Sequence, residues 1–319
     1  MNSSSVVAGI DIGGTNTEIG LVEADGTCRA RTTLPTARYD TVEDFAQALH
    51  TQLAGLVGTP PSHRLRGIGI GAPNGNYYRG TIEHAPNLRW RGVIPLAQML
   101  RERMNVPVVL TNDANAAALG EMLYGGARGM KHFIVITLGT GLGSGIVCDG
   151  KVLHGHSGFA GEIGHTIVDP NGRACGCGRR GCLETYASAS GIVRTAIELL
   201  QESNAESPLR RIPSGQLTAA DIASAAANGD SVAREAFQRT GRILALKLAD
   251  AVAHTSPEAI FLFGGLARAG DLLIEPTRRW FDAFLLNIFR DTVQLKLSSL
   301  PEDAGVLGAA ALAWNEIPP

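Results

Sequence analysis

Residues 11–26 read DIGGTNTEIGLVEADG, and residues 137–150 read TLGTGLGSGIVCDG. Each segment follows a short apolar run, residues 6–12 in the first case and 133–138 in the second. Each then gives a glycine turn, a second apolar run and a tight Asp-Gly turn, at Asp25-Gly26 and Asp149-Gly150. Few letters coincide, but the order of signals is the same. The pair predicts two related α/β halves, each presenting a glycine turn at the end of a strand. The competing reading is two unrelated glycine-rich hairpins.

Outward from the first turn, residues 28–34 read as a third strand. Asp40 and Glu43 have the spacing of a capping box before a helix that carries Val42, Phe45, Ala46, Leu49, Leu53 and Leu56 on one face. Strands are expected at 65–71 and 106–111, with helices from Pro95 to about 104 and over 113–123. After the second turn the chain reads as mainly helical, over 186–202, 219–228 and 231–253. Strands at 259–263 and 293–297 interrupt it, 203–216 is a loop, and a last helix covers 305–314.

The 319 residues suit two domains of ordinary size. A net charge of −2 offers no basic field for nucleic acid or an anionic membrane. No apolar run approaches the roughly 18 residues of a membrane span. Residues 1–5 lack the pattern of a signal peptide, and a cytoplasmic location is expected. Five cysteines, an odd number, fit a disulfide framework poorly, and Cys28 and Cys148 read as inert thiols.

Four constellations carry chemistry. Asp11, Gly13, Gly14 and Thr15 form a turn whose N–H groups can approach phosphate, with a carboxylate suited to hydrated Mg²⁺. A plain hairpin is the alternative, and no Gly-Lys-Ser/Thr makes it a Walker loop. Gly139, Thr140 and Gly141 open a second, denser glycine turn suited to clamping phosphate. Gly264 and Gly265, after an apolar strand, would let an adenosine lie against backbone. Thr111-Asn112-Asp113-Ala114-Asn115 lies at a strand-to-helix junction. There Asp113 is either an N-cap or the base that accepts a hydroxyl proton during phosphoryl transfer, and Asn112 is either a cap or a two-way partner for a sugar hydroxyl. Finally, His165, Cys175, Cys177 and Cys182 have the composition of a closed structural Zn²⁺ site. Glu162 and Glu184 flank them as surface or hydroxyl-binding carboxylates. Asn87 touches substrate or makes a turn, while His154 and His156 read as loop residues.

Taken together, DIGGT, APNL, TNDANAAALGE, TLGTGLGSG, GEIGH and CGCGRRGCLE resemble the ROK family of sugar kinases and sugar-responsive repressors, along nearly the whole chain. Within it the chain is most similar to bacterial glucokinases. The resemblance implies a two-domain α/β, actin-like ATPase (ribonuclease H-like) fold with a central cleft. The small domain would be residues 1–115, joined by a terminal helix over 305–319, and the large one 116–304. It implies Asp113 as catalytic base, with Asn87, Asn112, Glu162, His165 and Glu184 on sugar hydroxyls. His165, Cys175, Cys177 and Cys182 would hold zinc, and the three glycine pairs would line the site of ATP and Mg²⁺. The acceptor would be glucose or a related hexose or N-acetylhexosamine, and the enzyme a homodimer. A repressor would need an N-terminal DNA-binding domain, for which a first strand near Val6 leaves no room. Two departures stand out: Glu18 where many members carry Lys, and Ala-Pro-Asn-Gly-Asn-Tyr-Tyr over 72–78 where Pro-Gly is usual.

Overall fold

A computed structural model describes residues 5–58, 63–301 and 304–318. The reading of residues 1–5 as free of a signal peptide therefore falls mostly outside the described residues.

The first half is a five-stranded sheet made of β1 (Ser5–Ile12), β2 (Thr17–Val22), β3 (Cys28–Leu34), β4 (Arg64–Ala72) and β8 (Val108–Asn112). Its order is β3-β2-β1-β4-β8. The first three strands form antiparallel hairpins, and β1, β4 and β8 run parallel. Helices α1 (Val42–Val57) and α2 (Leu96–Met104) make the crossovers. A small sheet of β5 (Gly75–Asn76), β6 (Thr81–Glu83) and β7 (Val93–Ile94) sits within the second crossover.

The second half repeats this plan. After α3 (Asp113–Leu123) come β9 (Phe133–Leu138), β10 (Leu142–Cys148) and β11 (Lys151–Val152). Then follow α4 (Glu184–Ala187), α5 (Ala189–Glu202), α6 (Ala219–Ala227) and α7 (Ser231–Thr255). The chain ends with β12 (Ala259–Phe263), α8 (Asp271–Phe284), β13 (Gln294–Leu297) and α9 (Ala304–Glu316). The sheet order is β11-β10-β9-β12-β13, with antiparallel hairpins followed by parallel strands. Strand for strand, this matches the first sheet, as the paired glycine turns predicted.

Both central strands are mainly apolar because both of their faces are covered, with Asp11 and Thr137 as polar residues one position before the strand ends. In β1, Val6, Ala8, Ile10 and Ile12 pack against Phe45, Leu49 and Leu53 of α1, while Val7 turns to Val306 and Ala310 of α9. In β9, Ile134, Ile136 and Leu138 join the core of α5 and α7, while Phe133 and Val135 meet Ala117 and Ala118 of α3. The two halves thus exchange their last helices: α3 lies on β9 and β10, α9 lies on β1 and β4, and the two helices pack on each other. Glycine permits this closeness. A Cβ at Gly9 or Gly69 would collide with the carbonyls of Val306 or Ala309.

Several sequence expectations shift. The cap of α1 is Thr41, whose hydroxyl accepts from Asp44 N at 3.2 Å, so the Asp40–Glu43 box is displaced by one residue. The expected helix over 186–202 breaks at Ser188, which is extended and caps α5 by accepting from Gly191 N at 3.0 Å. Strand β10 begins at Leu142, inside the stretch read as turn. The sequence pattern announces neither helix α8 nor the short strands β5, β6, β7 and β11.

Candidate functional site

The parallel strands place their carboxyl ends together. β1 delivers Asp11 and the turn Gly13–Gly14, and β8 delivers Asn112 and Asp113. β9 delivers the turn at Gly139, and β12 delivers Gly264 and Gly265. Open α/β sheets bind ligands at such ends.

In the first turn, Gly13 N donates to Asn16 O at 2.9 Å. A Cβ on Gly14 would sit 2.6 Å from Asn87 O, so these two predicted residues are in contact through backbone. Asp11 is pushed up to about 7, first by burial, then by the charges of Asp113 and Glu18. Glu18 of β2 is the cross-strand partner of Asp11 and has its own cation, Arg31, at 3.5 Å.

At the junction of β8 and α3, Asn112 is the cap: its Oδ1 accepts from Asn115 N at 2.7 Å. The amide nitrogen and the second lone pair of Oδ1 are left for a ligand, so capping is compatible with Asn112 as a two-way partner for a hydroxyl. Asp113 is the first helical residue and not the cap. Solvent reaches its side chain, yet desolvation by the protein packed around it raises its pKa above the usual carboxylate value. The Ala114 N–H, 2.8 Å from Oδ1, opposes this shift. Gly71 separates Asp11 from Asp113, and Gly143 of β10 lies against Ala114 and Asp113. Asp113 is therefore wedged between the ends of both sheets.

In the second turn, Gly139 N donates to Gly141 O at 3.0 Å. The turn is gripped from outside. Glu184 Oε2 accepts from Leu142 N at 2.9 Å, Ser190 Oγ donates to Thr140 O at 2.8 Å, and Ala189 N donates to Gly139 O at 2.9 Å. Gly264, at φ 104°, packs against the Leu138 backbone, which brings Gly264 and Gly265 alongside this turn. Glu162 caps the short helix Ile163–His165. Its pKa is raised, chiefly by burial and also by Asp113 and Glu184, while His165 opposes. Those couplings bring Glu162 within charge range of Asp113, Glu184 and His165.

The donor atoms of His165, Cys175, Cys177 and Cys182 all lie within 4.8 Å of one another. Cys177 and Cys182 sulfurs are 3.6 Å apart, and Cys175 Sγ is 3.7 Å from His165 Nδ1. These spacings are far beyond a disulfide and close to the edge of about 3.8 Å expected for a tetrahedron of Zn–S bonds. The donor set therefore fits structural zinc. The cluster reaches the second glycine turn through Glu184, whose Oε1 is 3.8 Å from Cys175 Sγ.

Against this geometry, the ROK family model matches residues 7–316. The chain belongs to the ROK family. A glucokinase of Halalkalibacterium halodurans is 39% identical, covering 97% of this chain and 94% of that one. An N-acetylmannosamine kinase of Escherichia fergusonii is 36% identical over 96% of this chain and 98% of that one. Among solved structures, a ROK family glucokinase from Streptomyces griseus in complex with glucose and AMPPNP superposes with a TM-score of 0.83 at 36% identity, covering 98% of this chain and 100% of that one. The paired sheets are those of the actin-like ATPase fold. Among the described residues, no helix is long and apolar enough to cross a membrane.

Sequence reasoning missed the residues that hold this site in place. Arg173 pins the cysteine knuckle to α5: it donates to Glu198 at 2.9 Å, to Thr195 Oγ1 at 2.9 Å and to Thr185 O at 2.6 Å, and its guanidinium lies over Tyr186. Ser144 donates to Gly161 O and accepts from Ile163 N at 3.1 Å. Both are single residues in ordinary company, so only their long-range partners reveal them.

Proposed function

We propose that this chain transfers the γ-phosphoryl group of ATP to the 6-hydroxyl of glucose. One observation carries the reading: Asp113, a carboxylate of raised pKa open to solvent, is wedged between the ends of two sheets that each present a glycine turn. Phosphoryl transfer needs little from a protein beyond positioning, charge stabilisation and a proton acceptor. Asp113 is that acceptor. Asn112, Asn87, Glu162, His165 and Glu184 hold the sugar hydroxyls. The turns with Gly13, Gly14 and Thr15 and with Gly139, Thr140 and Gly141 take the phosphates, and Gly264 and Gly265 flank the adenosine. Mg²⁺ would supply charge neutralisation on the phosphates, with Asp11 the carboxylate placed to hold it. Zinc on His165, Cys175, Cys177 and Cys182 would fix the fold of the knuckle and, through Glu184, the second turn.

In this reading residues 1–115 with the terminal helix form one domain and 116–304 the other. They close on the substrates and exclude the water that would otherwise hydrolyse ATP. A cytoplasmic homodimer completes the proposal. The names of the H. halodurans and S. griseus relatives support glucose. The E. fergusonii relative favours a second reading, N-acetylmannosamine as acceptor.

Coupled ADP release over a panel of hexoses and N-acetylhexosamines tests this. Glucose should give the highest kcat/KM. A preference for an N-acetylhexosamine would replace glucose with the second reading, and ADP release indifferent to sugar would remove both.

A further inference from the structure

Residues 153–160 lead from β11 to Glu162 with no helix or strand of their own, and the opposite half of the molecule holds them. Asn76, fully buried in β5, donates from Nδ2 to Ser157 O at 2.9 Å. Its Oδ1 accepts from Arg79 N at 3.3 Å, which fixes the amide's orientation. Gly158, at φ 89°, passes so near that a Cβ would lie 2.7 Å from Asn76 Oδ1. Beside this contact the rings of Tyr77 and His154 stack, with centroids 3.9 Å apart and planes within 4°, and Tyr78 closes the edge at 5.9 Å. The Tyr77 hydroxyl donates to Glu316 Oε2 of α9 at 2.6 Å.

Both ends of this contact reach the site. On one side Gly75 abuts the Thr111 carbonyl, directly before Asn112 and Asp113. On the other, Ala160 N donates to His154 O at 3.0 Å, and Gly161 O accepts from Ser144 just ahead of Glu162. The Asn76 amide is thus a short link between the wall that carries Asn112 and the segment that delivers Glu162.

We propose that Asn76, Tyr77 and His154 form a clasp between the two halves that positions Glu162 at the acceptor pocket. This rests on the reading of that pocket as the sugar site. The three residues act through Glu162 and are positioning residues for the acceptor, not for ATP. His154 contributes by stacking: its Nδ1 is buried, with no hydrogen-bond partner among the described residues. Replacing Asn76 leaves the Ser157 carbonyl without its donor, and the segment can then drift from Asn112.

Steady-state kinetics of Asn76→Ala, Asn76→Asp, His154→Ala and His154→Phe, with sugar and ATP varied separately, test the clasp. Loss of one buried hydrogen bond should raise the sugar KM about tenfold in Asn76→Ala, with the ATP KM within about twofold. Asn76→Asp, which sets a carboxylate against the Ser157 carbonyl, should lose more. His154→Phe, which keeps the stack, should stay closer to the wild type than His154→Ala. Both KM values rising together, or Asn76→Ala matching the wild type, would overturn the proposal. Hydrogen exchange gives a readout independent of turnover: amides of 154–163 should exchange faster in Asn76→Ala while the two central sheets stay protected. If no hexose is turned over by the wild type, the sugar-kinase reading falls. Exchange then decides the clasp alone, and unchanged or globally faster exchange rejects it.

Discussion

The two glycine turns occupy equivalent places in two sheets of identical order, yet they are built differently. The first spans four residues between Ile12 and Thr17, the second three between Leu138 and Leu142. One position before the strand end, the first has Asp11, paired across the hairpin with Glu18. The second has Thr137, paired with Gly143, and the Thr137 hydroxyl accepts from Gly143 N at 3.1 Å. The first turn is therefore acidic; each turn has an internal backbone bond, and the first gains one outside backbone bond, Ala37 N donating to Thr15 O at 3.3 Å. The second is uncharged at that position and held from outside by Glu184 and the start of α5. A duplicated frame has kept its topology and divided its chemistry. One turn suits a metal-bound phosphate, and the other presents N–H groups whose aim depends on a neighbouring carboxylate and on the cysteine knuckle behind it.

The largest expected effect lies where the halves meet. Asp113→Asn should cut kcat by about 10²- to 10⁴-fold, the usual contribution of a positioned base, with sugar binding and melting temperature retained. The acidic limb of the wild-type rate should also fall above the ordinary carboxylate range, because burial raises Asp113 and only its ionised form can accept a proton. Turnover within a few-fold of wild type would remove Asp113 as base.

Next is the external grip on the second turn. Glu184→Ala should raise the KM for both ATP and sugar by about tenfold, because a single lost charge-assisted hydrogen bond frees the turn at Leu142. A rise in sugar KM alone would detach Glu184 from the phosphate clamp. Behind it, Cys175→Ser should lower bound zinc well below about one per chain and depress the melting temperature by several degrees, as for other structural sites. Elemental analysis and thermal melts check this; a metal-free, fully active wild type would refute the site.

The smallest effect separates the turns by charge. The Asp11 carboxyl goes from 3.8 to about 7 on folding, so the folded state holds its proton more tightly. Its stabilising contribution is complete at low pH and is lost as pH rises through about 7. Asp11→Asn should flatten the fall in melting temperature of the ligand-free protein between pH 5 and pH 8, whereas Thr137→Val at the equivalent place should leave that slope as it is. Parallel pH profiles for the wild type and Asp11→Asn would dissolve the contrast.

Much of this was legible in the sequence, for identifiable reasons. Apolar runs covered on both faces announce β1 and β9 without ambiguity, and the repeated turn grammar announces the second sheet. Cysteine spacing announces the metal cluster, because His165, Cys175, Cys177 and Cys182 are close in sequence as well as in space. What stayed hidden depends on distant partners. Thr41 and not Asp40 caps α1, because capping is decided by the backbone angles of single residues. Ser188 divides α4 from α5 although the apolar spacing runs through it. Arg173, Ser144 and Asn76 hold the site by bonds to segments up to 81 residues away, which no local pattern encodes. His154 is the loop residue the sequence predicts, and only its stack on Tyr77 stayed hidden.

The central claim is that the γ-phosphate of ATP arrives on the 6-oxygen of glucose. Proton–phosphorus correlation NMR of the product formed from ATP·Mg²⁺ and glucose tests it directly. The account predicts one new phosphate ester coupled to the two protons on C6, formed in step with ADP. Phosphate on another carbon, or ADP accompanied only by inorganic phosphate, would contradict it.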